Sequence, residues 1–297
     1  MKYIVTGGCG FIGSHIVDKL IEQNHKVIVI DNQSSSSRDT YFFNNKAVYY
    51  DWNLCDYDLI VDLFEGVDCV FHLAAEISIP YCIENPKNSM QNNTISTLNV
   101  LEASRKHNVK RVIFSSTCAV YGNKFFLPSY ETNPTQPLNT YSLSKQSGEE
   151  LCKMYYHLYG LETIVLRYFN VYGDRQPSKG SYAPVMAIFL RQKENNEPLT
   201  LFGDGYQTRD FVNVYDVVNA NLMASQATLT SYGEIFNVGT GEGISIQDIA
   251  DLISPDQIYL PERPGEVLHS RANNDKIRNV IKWKPKIDLK QWIIQQL

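Results

Sequence analysis

The sequence predicts an α/β fold, a doubly wound parallel sheet joined to a smaller, mixed α/β C-terminal lobe. Three observations carry this reading. Short, continuous apolar runs alternate with helical patterns through the first half of the chain. Three closely spaced glycines follow the first of these runs. After about Tyr172 the alternation gives way to segments such as Pro177-Ser178-Lys179-Gly180 and Phe202-Gly203-Asp204-Gly205.

The apolar runs predict strands at Tyr3–Thr6, Lys26–Ile30, Val48–Tyr50, Cys69–Leu73, Val112–Ser115 and Thr163–Arg167, with helices near 12–23, 57–64, 89–107 and 141–159. Continuous rather than alternating apolar strands belong to a parallel sheet covered on both faces. Strand–helix alternation implies right-handed crossovers. Phe236-Asn237-Val238 reads as another buried strand, one that returns to the main sheet. We therefore expect residues 1–172 to form the first lobe and 173–297 the second, the two being interleaved.

Gly7, Gly10 and Gly13 in TGGCGFIG stand between the first strand and the first helix. Such a turn lets backbone approach a pyrophosphate, and the helix N-terminus offers free N–H groups and a partial positive charge. Tight turns also collect glycine, so context decides. Asp31 ends the second strand, 18 residues beyond Gly13, where a carboxylate suits the adenosine ribose hydroxyls. Asn32, Gln33 and Ser34 follow without a cation for a 2′-phosphate; the first, Arg38, lies seven residues past Asp31. The pattern points to a Rossmann-type domain that prefers NAD to NADP.

The bulk numbers exclude other classes. The 297 residues include 43% hydrophobic and 20% charged, an ordinary globular balance, and the net charge of −5 offers no basic field for nucleic acid or anionic lipid. No apolar run approaches the roughly 20 residues of a membrane span. MKYIVTGG runs straight into a strand pattern without the layout of a secretory signal. Six cysteines and six histidines show neither a C-x-x-C pair nor metal-ligand spacing. We expect a cytoplasmic protein with reduced thiols and no metal.

Tyr141 and Lys145 in YSLSK lie four apart on a predicted helix that ends at Gly160, so they share one face. Leu151, Met154, Tyr155 and Leu158 read as the helix's core stripe, with Gly148 allowing close approach beside the Tyr/Lys pair. An ammonium near a phenol favours the phenolate, which can then take a proton from an alcohol. The competing reading is a surface Tyr/Lys pair. For His72 in FHLAA, a packed, hydrogen-bonded role outweighs a catalytic one.

Taken together, TGGCGFIG, HLAA, SSTCAVYG, YSLSK, RYFNVYG, TRDFVNVYDV and RPGEV resemble the extended short-chain dehydrogenase/reductase superfamily, and within it the nucleotide-sugar 4-epimerases. The resemblance runs from Met1 to about Trp283. It implies an isomerase that inverts C4 of a UDP-sugar through a transient 4-keto intermediate with bound NAD. Tyr141 is then the base, Lys145 its cationic partner, and Thr117 the hydroxyl beside the reacting oxygen. The cofactor would meet Gly7, Gly10, Phe11, Ile12, Gly13, Asp31, Asn32, Asn53, Leu54, Leu73, Ala74, Ala75, Asn93, Ser115, Tyr141 and Lys145. Asn53 replaces the family's usual aspartate facing adenine; its amide oxygen can still accept.

Substrate residues implied in the same way are Ser78, Thr117, Asn170, Thr200, Phe202, Arg209, Arg263 and Ser270. Arg209 and Arg263 would clamp the diphosphate, for which guanidinium forks are suited. Core packing is the competing role for Phe202. Ser270 stands at the family's gate beside the hexose 2-substituent, and a small residue there implies acceptance of UDP-GlcNAc and UDP-GalNAc, with UDP-Glc and UDP-Gal as further substrates. Glu76 departs from a generally apolar position. Related 4,6-dehydratases carry an Asp-Glu pair where Cys118-Ala119 stands here, and glucuronate decarboxylases keep a glutamate at Ala119's position. Their absence favours epimerisation over elimination or decarboxylation, while a net 4-reductase would need NADPH to come and go, which the Asp31 loop disfavours. A non-catalytic NAD-binding regulator is the rival from another class. The resemblance also implies a homodimer through a four-helix bundle built from 89–107 and 141–159.

Overall fold

The computed structural model describes residues 1–35, 40–123, 127–178, 183–262 and 267–297. Arg38 and Arg263 lie outside the described residues. The strands, in chain order, are β1 (Lys2–Thr6), β2 (Lys26–Ile30), β3 (Val48–Tyr50), β4 (Cys69–His72), β5 (Arg111–Thr117), β6 (Glu162–Tyr168), β7 (Asn170–Tyr172), β8 (Leu199–Phe202), β9 (Thr208–Arg209), β10 (Phe211–Asn213), β11 (Glu234–Val238), β12 (Ile244–Ser245) and β13 (Gln257–Leu260).

Seven of them form one parallel sheet in the order β11-β6-β5-β4-β1-β2-β3. The chain winds outward from β1 to β3, then restarts at β4 on β1's other side. The crevice beyond the carboxyl ends of β1 and β4 is therefore the topological switch point, where ligands bind in such sheets. Ile4, Val5, Val70, Phe71, Ile113 and Phe114 are fully buried, which is why these strands read as unbroken apolar runs.

One face packs on the helices Phe11–Glu22 and Val214–Gln226, the other on Ser96–Lys106 and Thr140–Tyr159. The chain's second half thus covers the sheet laid down by the first and also supplies its edge strand β11. Arg111 fastens this arrangement. It forks onto Glu162 at 2.6 and 3.0 Å and donates to the carbonyls of Ala224 and Ser225, which end helix Val214–Gln226. A further core gathers Tyr172, Phe189, Leu201, Ile249 and Trp292 beneath the paired ribbons β7–β10, β8–β13 and β9–β12. Among the described residues, no helix is long and apolar enough to cross a membrane.

Two helical readings need correction. The segment expected at 89–107 begins at Pro86 and is interrupted by a π-helical turn, Gln91–Ile95, before Ser96–Lys106 resumes. Such bulges add one residue per turn and frequently mark functional sites. The stripe expected to bury helix Thr140–Tyr159 holds only for Tyr155, which is buried, and Leu151, which packs against the core. Met154 is 39% and Leu158 64% exposed, whereas Ser144, Lys145, Gly148, Glu149 and Cys152 face inward beside Tyr155. The reason is the closeness of β5: a Cβ on Gly148 would sit 2.4 Å from the ring of Phe114, so small residues occupy that face.

Candidate active site

The glycine turn is built for close approach. Gly7 has φ +67°, and a Cβ there would lie 2.7 Å from the Ala74 amide nitrogen. A Cβ on Gly13 would lie 2.2 Å from the Gly7 carbonyl oxygen, so strand end, turn and helix start pack backbone on backbone. Asp31 steadies the turn, accepting the Cys9 N–H at 2.9 Å on one oxygen and the Gln33 N–H at 2.9 Å on the other. Each carboxylate oxygen keeps acceptor capacity for a ribose hydroxyl. This cradle, with the positive end of helix Phe11–Glu22 above it, fits a dinucleotide pyrophosphate.

These elements open onto one cleft of about 1280 Å³. Gly7, Gly10, Phe11, Ile12, Gly13, Asp31, Asn32, Asn53, Leu54, Leu73, Ala74, Ala75 and Ser115 all line it. So do Thr117, Tyr141, Lys145, Asn170, Thr200, Phe202, Arg209 and Ser270. Residues from β5, β7, β8 and β9 thus share a wall with the turns that follow β1, β2 and β4. Two of the sequence-derived residues do not reach it. Ser78, 2% exposed, caps the short helix Ile79–Glu84 by accepting the Tyr81 N–H. Asn93, 1% exposed, lies behind the wall in the π turn.

Tyr141 sits in the first turn of its helix, fixed by a reciprocal cap in which Asn139 accepts the Ser142 N–H and the Ser142 hydroxyl accepts the Asn139 N–H. Lys145, one turn on, donates to the Ser115 carbonyl at 3.0 Å with its ammonium 5.0 Å from the Phe114 ring centroid. Burial lowers its pKa to about 8, against opposing pulls from Cys152 and Glu149. Thr117 ends β5, its hydroxyl accepting the Ala119 N–H at 3.1 Å. The next residue, Cys118, has its thiol pushed up to about 12 by burial, so it stays protonated and is no base.

His72 is fully engaged. Thr97 gives its proton to the Asn93 carbonyl at 2.6 Å, so its oxygen accepts from Nε2–H of His72 at 2.9 Å. Nδ1 is then left to accept from Thr6 at 2.7 Å, and the Thr6 oxygen takes the N–H groups of Leu73 and Ala74. Burial first, and the Lys145 charge second, lower the His72 pKa to about 3, so the ring is neutral and structural. The network continues through Asn93, whose amide spans the Glu76 backbone N–H and C=O and donates to Ser144.

At the opposite end, Asp210 anchors the loops. Its carboxylate accepts from the N–H groups of Thr240, Gly241 and Ala272 and from the Thr240 hydroxyl. Arg209 bridges the carbonyls of Thr208 and Leu268, both at 3.1 Å. Asn170 donates to the Ser270 hydroxyl at 3.3 Å. The sequence reading missed Tyr41, Trp52 and Gln192 on the cleft wall. Gln192 grips Thr200 twice, donating to its hydroxyl at 2.8 Å and accepting its N–H at 3.2 Å. A glutamine on the inward face of helix Val185–Glu194, among Met186 and Phe189, was the available signal.

Fold and cleft together define a dinucleotide-binding α/β enzyme class with a second ligand lobe. The sequence places it further: residues 3–239 match the family model for the NAD-dependent epimerase/dehydratase family, and the chain belongs to that family. A putative UDP-glucose 4-epimerase of Methanocaldococcus jannaschii is 43% identical, over 98% of this chain and 95% of that protein. Among solved structures, UDP-glucose 4-epimerase of Thermotoga maritima with UDP-glucose superposes with TM-score 0.93 at 38% identity, covering 99% of this chain and 96% of the other. UDP-N-acetylglucosamine 4-epimerase of Methanobrevibacter ruminantium, in complex with UDP-N-acetylmuramic acid, gives TM-score 0.91 at 36% identity, covering 100% and 99%.

Proposed function

We propose that the chain is an NAD-dependent UDP-sugar 4-epimerase that accepts UDP-GlcNAc and UDP-GalNAc, with UDP-Glc and UDP-Gal as further substrates. The observation that carries this is the convergence of Tyr141, Lys145 and Thr117 on the cleft that also holds the glycine turn and Asp31.

Bound NAD supplies the hydride acceptor, and on return the donor, for C4 of the sugar. Tyr141 Oη takes the proton of the 4-hydroxyl as that carbon is oxidised, with the Thr117 hydroxyl beside the same oxygen. The Lys145 ammonium favours the phenolate form of Tyr141 electrostatically. It is held against β5 by the Ser115 carbonyl. Arg209, and Arg263 by resemblance, retain the diphosphate while the 4-keto sugar turns its other face to the cofactor. Tyr141 then returns the proton. Asp31, Asn32, Asn53 and the glycine turn hold the adenosine half; Thr200 and Phe202 flank the uracil. Asn93 supports the cofactor wall from behind, and Ser78 supports the loop that carries Glu76.

Cys118 and Ala119 leave this face of β5 without the carboxylate that elimination or decarboxylation uses. Ser270, small and bonded to Asn170, leaves room for an N-acetyl group. The two lobes, 1–172 and 173–297, divide the ligands between them, with β11 crossing over. The exposed apolar residues Leu143, Met154, Leu158 and Tyr159, with Ile83 and Ile95 on the neighbouring segment, support pairing with a second copy through these helices.

The test is incubation with UDP-GlcNAc and with UDP-Glc, followed by separation of the C4 epimers. We expect both pairs to interconvert, and Tyr141→Phe to lose about 10³-fold in turnover while retaining NAD and UDP. Turnover by Tyr141→Phe within tenfold of wild type removes Tyr141 from the role of base. Failure on the N-acetyl pair alone removes the reading of Ser270.

A further inference from the structure

β8 pairs with β13 along one edge. The Leu199 and Gly203 N–H groups go to the Asp256 and Leu260 carbonyls, both at 2.9 Å. N–H groups alternate in direction along a strand, so that of Thr200 points to the other edge. Gln192, 8% exposed on helix Val185–Glu194, covers that edge. Its Oε1 accepts the Thr200 N–H at 3.2 Å, and its Nε2 donates to the Thr200 hydroxyl at 2.8 Å. Leu199 and Leu201 fill the core beneath β8, so Thr200 stands on the opposite face, and both it and Gln192 line the cleft. The pairing has a polarity. A backbone N–H can only donate, so the amide oxygen must face it and the amide nitrogen must face the hydroxyl. The Thr200 oxygen is thus an acceptor on its Gln192 side, and its own proton points elsewhere. Among the described residues nothing accepts that proton, which leaves the cleft.

We propose that Gln192 is a positioning residue that fixes the Thr200 hydroxyl as a donor to the C4 oxygen of the nucleobase, and so selects uracil over cytosine. The proposal rests on the UDP-sugar reading above. Uracil carries a carbonyl at C4, which completes the hydroxyl's bond. Cytosine carries an amino group there, itself a donor, and leaves the hydroxyl proton unmet in a half-buried wall. A site built to hydrogen-bond one group rejects the analogue that cannot complete the bond, beyond what pocket shape alone achieves. The amide is what sets the direction. A carboxylate in its place would still take the Thr200 N–H, but it would also take the hydroxyl proton. The Thr200 oxygen would then face the base as an acceptor.

The test is calorimetric binding of UDP and CDP to the NAD-loaded protein at a mildly alkaline pH, for wild type, Gln192→Glu and Thr200→Val. We expect wild type to hold UDP roughly tenfold or more tightly than CDP. Gln192→Glu should cancel or invert that preference, and Thr200→Val, which keeps the β-branch and removes the hydroxyl, should bring the ratio to within about twofold of one. The ratio is the readout. A strand that merely loosens, or an added charge that repels both diphosphates, weakens the two nucleotides alike; a ratio left at its wild-type value by both variants overturns the proposal. Equal binding of UDP and CDP by wild type overturns it with no variant needed. Epimer separation keeps the two readings apart. No epimerisation, with the UDP preference present and cancelled by the variants, rejects the epimerase and retains the role of Gln192. Epimerisation with a ratio that neither variant moves rejects only the role of Gln192.

Discussion

The two ends of the cleft hold their ligands' places by different means. At the cofactor end, backbone does the positioning: β1, β4 and the start of helix Phe11–Glu22 meet at distances only glycine permits, and a single carboxylate, Asp31, pins the turn. At the end that holds Thr200 and Arg209, which we propose for the sugar nucleotide, the strands are two to four residues long, and side chains set the geometry. Asp210 gathers four donors, Gln192 grips Thr200, and Arg209 spans two carbonyls. A backbone-built site tolerates few substitutions and binds one invariant ligand. A side-chain-built site changes its preferences one residue at a time, which suits a family whose relatives carry different sugars.

The sharpest way to break this contrast is Gly13→Ala. Its methyl meets a carbonyl oxygen, which no rotamer relieves, so we expect a loss of about 3 kcal/mol and protein that purifies without NAD. Stoichiometric NAD in the purified variant contradicts a backbone-built cofactor end. Next comes Asp210→Ala, which strands three N–H groups and a hydroxyl in a buried place. Thermal or urea melts should show roughly 2–3 kcal/mol of destabilisation, with UDP affinity falling and NAD content unchanged. Equal loss of both ligands merges the two ends into one unit.

His72 tests the wall between them through pH. Its pKa falls from 6.5 in the unfolded chain to about 3 in the fold, so below pH 6.5 the unfolded chain takes up a proton that the native ring does not. The associated stability is complete above pH 6.5 and is lost as pH falls towards 3. Wild type should therefore lose about 2 kcal/mol more than His72→Gln between pH 6.5 and 4.5. Parallel pH curves for the two proteins show that the ring is not buried neutral. The smallest effect belongs to Asn53, whose amide oxygen already accepts the Cys55 N–H at 2.9 Å. Asn53→Asp restores a charged acceptor and should tighten NAD retention about two- to fivefold, read from its off-rate.

The same contrast governs what the sequence discloses. Buried parallel strands leave continuous apolar runs, and close backbone approach leaves glycines, so β1 to β6 and the cofactor turn were readable in the chain. The Tyr141/Lys145 pair was readable because four residues make one helical turn. The inward face of that same helix was not. Its neighbour β5 lies too close for leucine or methionine, and a buried ion pair, Glu149 with Arg167 at 2.6 and 2.8 Å, takes the place of an apolar stripe. The π turn at Gln91–Ile95 leaves no composition signal, because what stabilises it is Asn93 bonding to Glu76 and Ser144, residues 17 and 51 positions away. Gln192 was hidden for a similar reason: its partner lies on a strand whose register is set only in three dimensions.

The placement of β11 has a consequence for how the chain is made. The nucleotide sheet lacks its last strand until Val238 exists, 70 residues after β6 ends at Tyr168. At roughly 5–20 residues per second, a ribosome leaves that edge of β6 open for roughly 4–14 s. During that interval the nascent polypeptide presents an unpaired parallel edge, open to its own later segment, to a chaperone or to another chain.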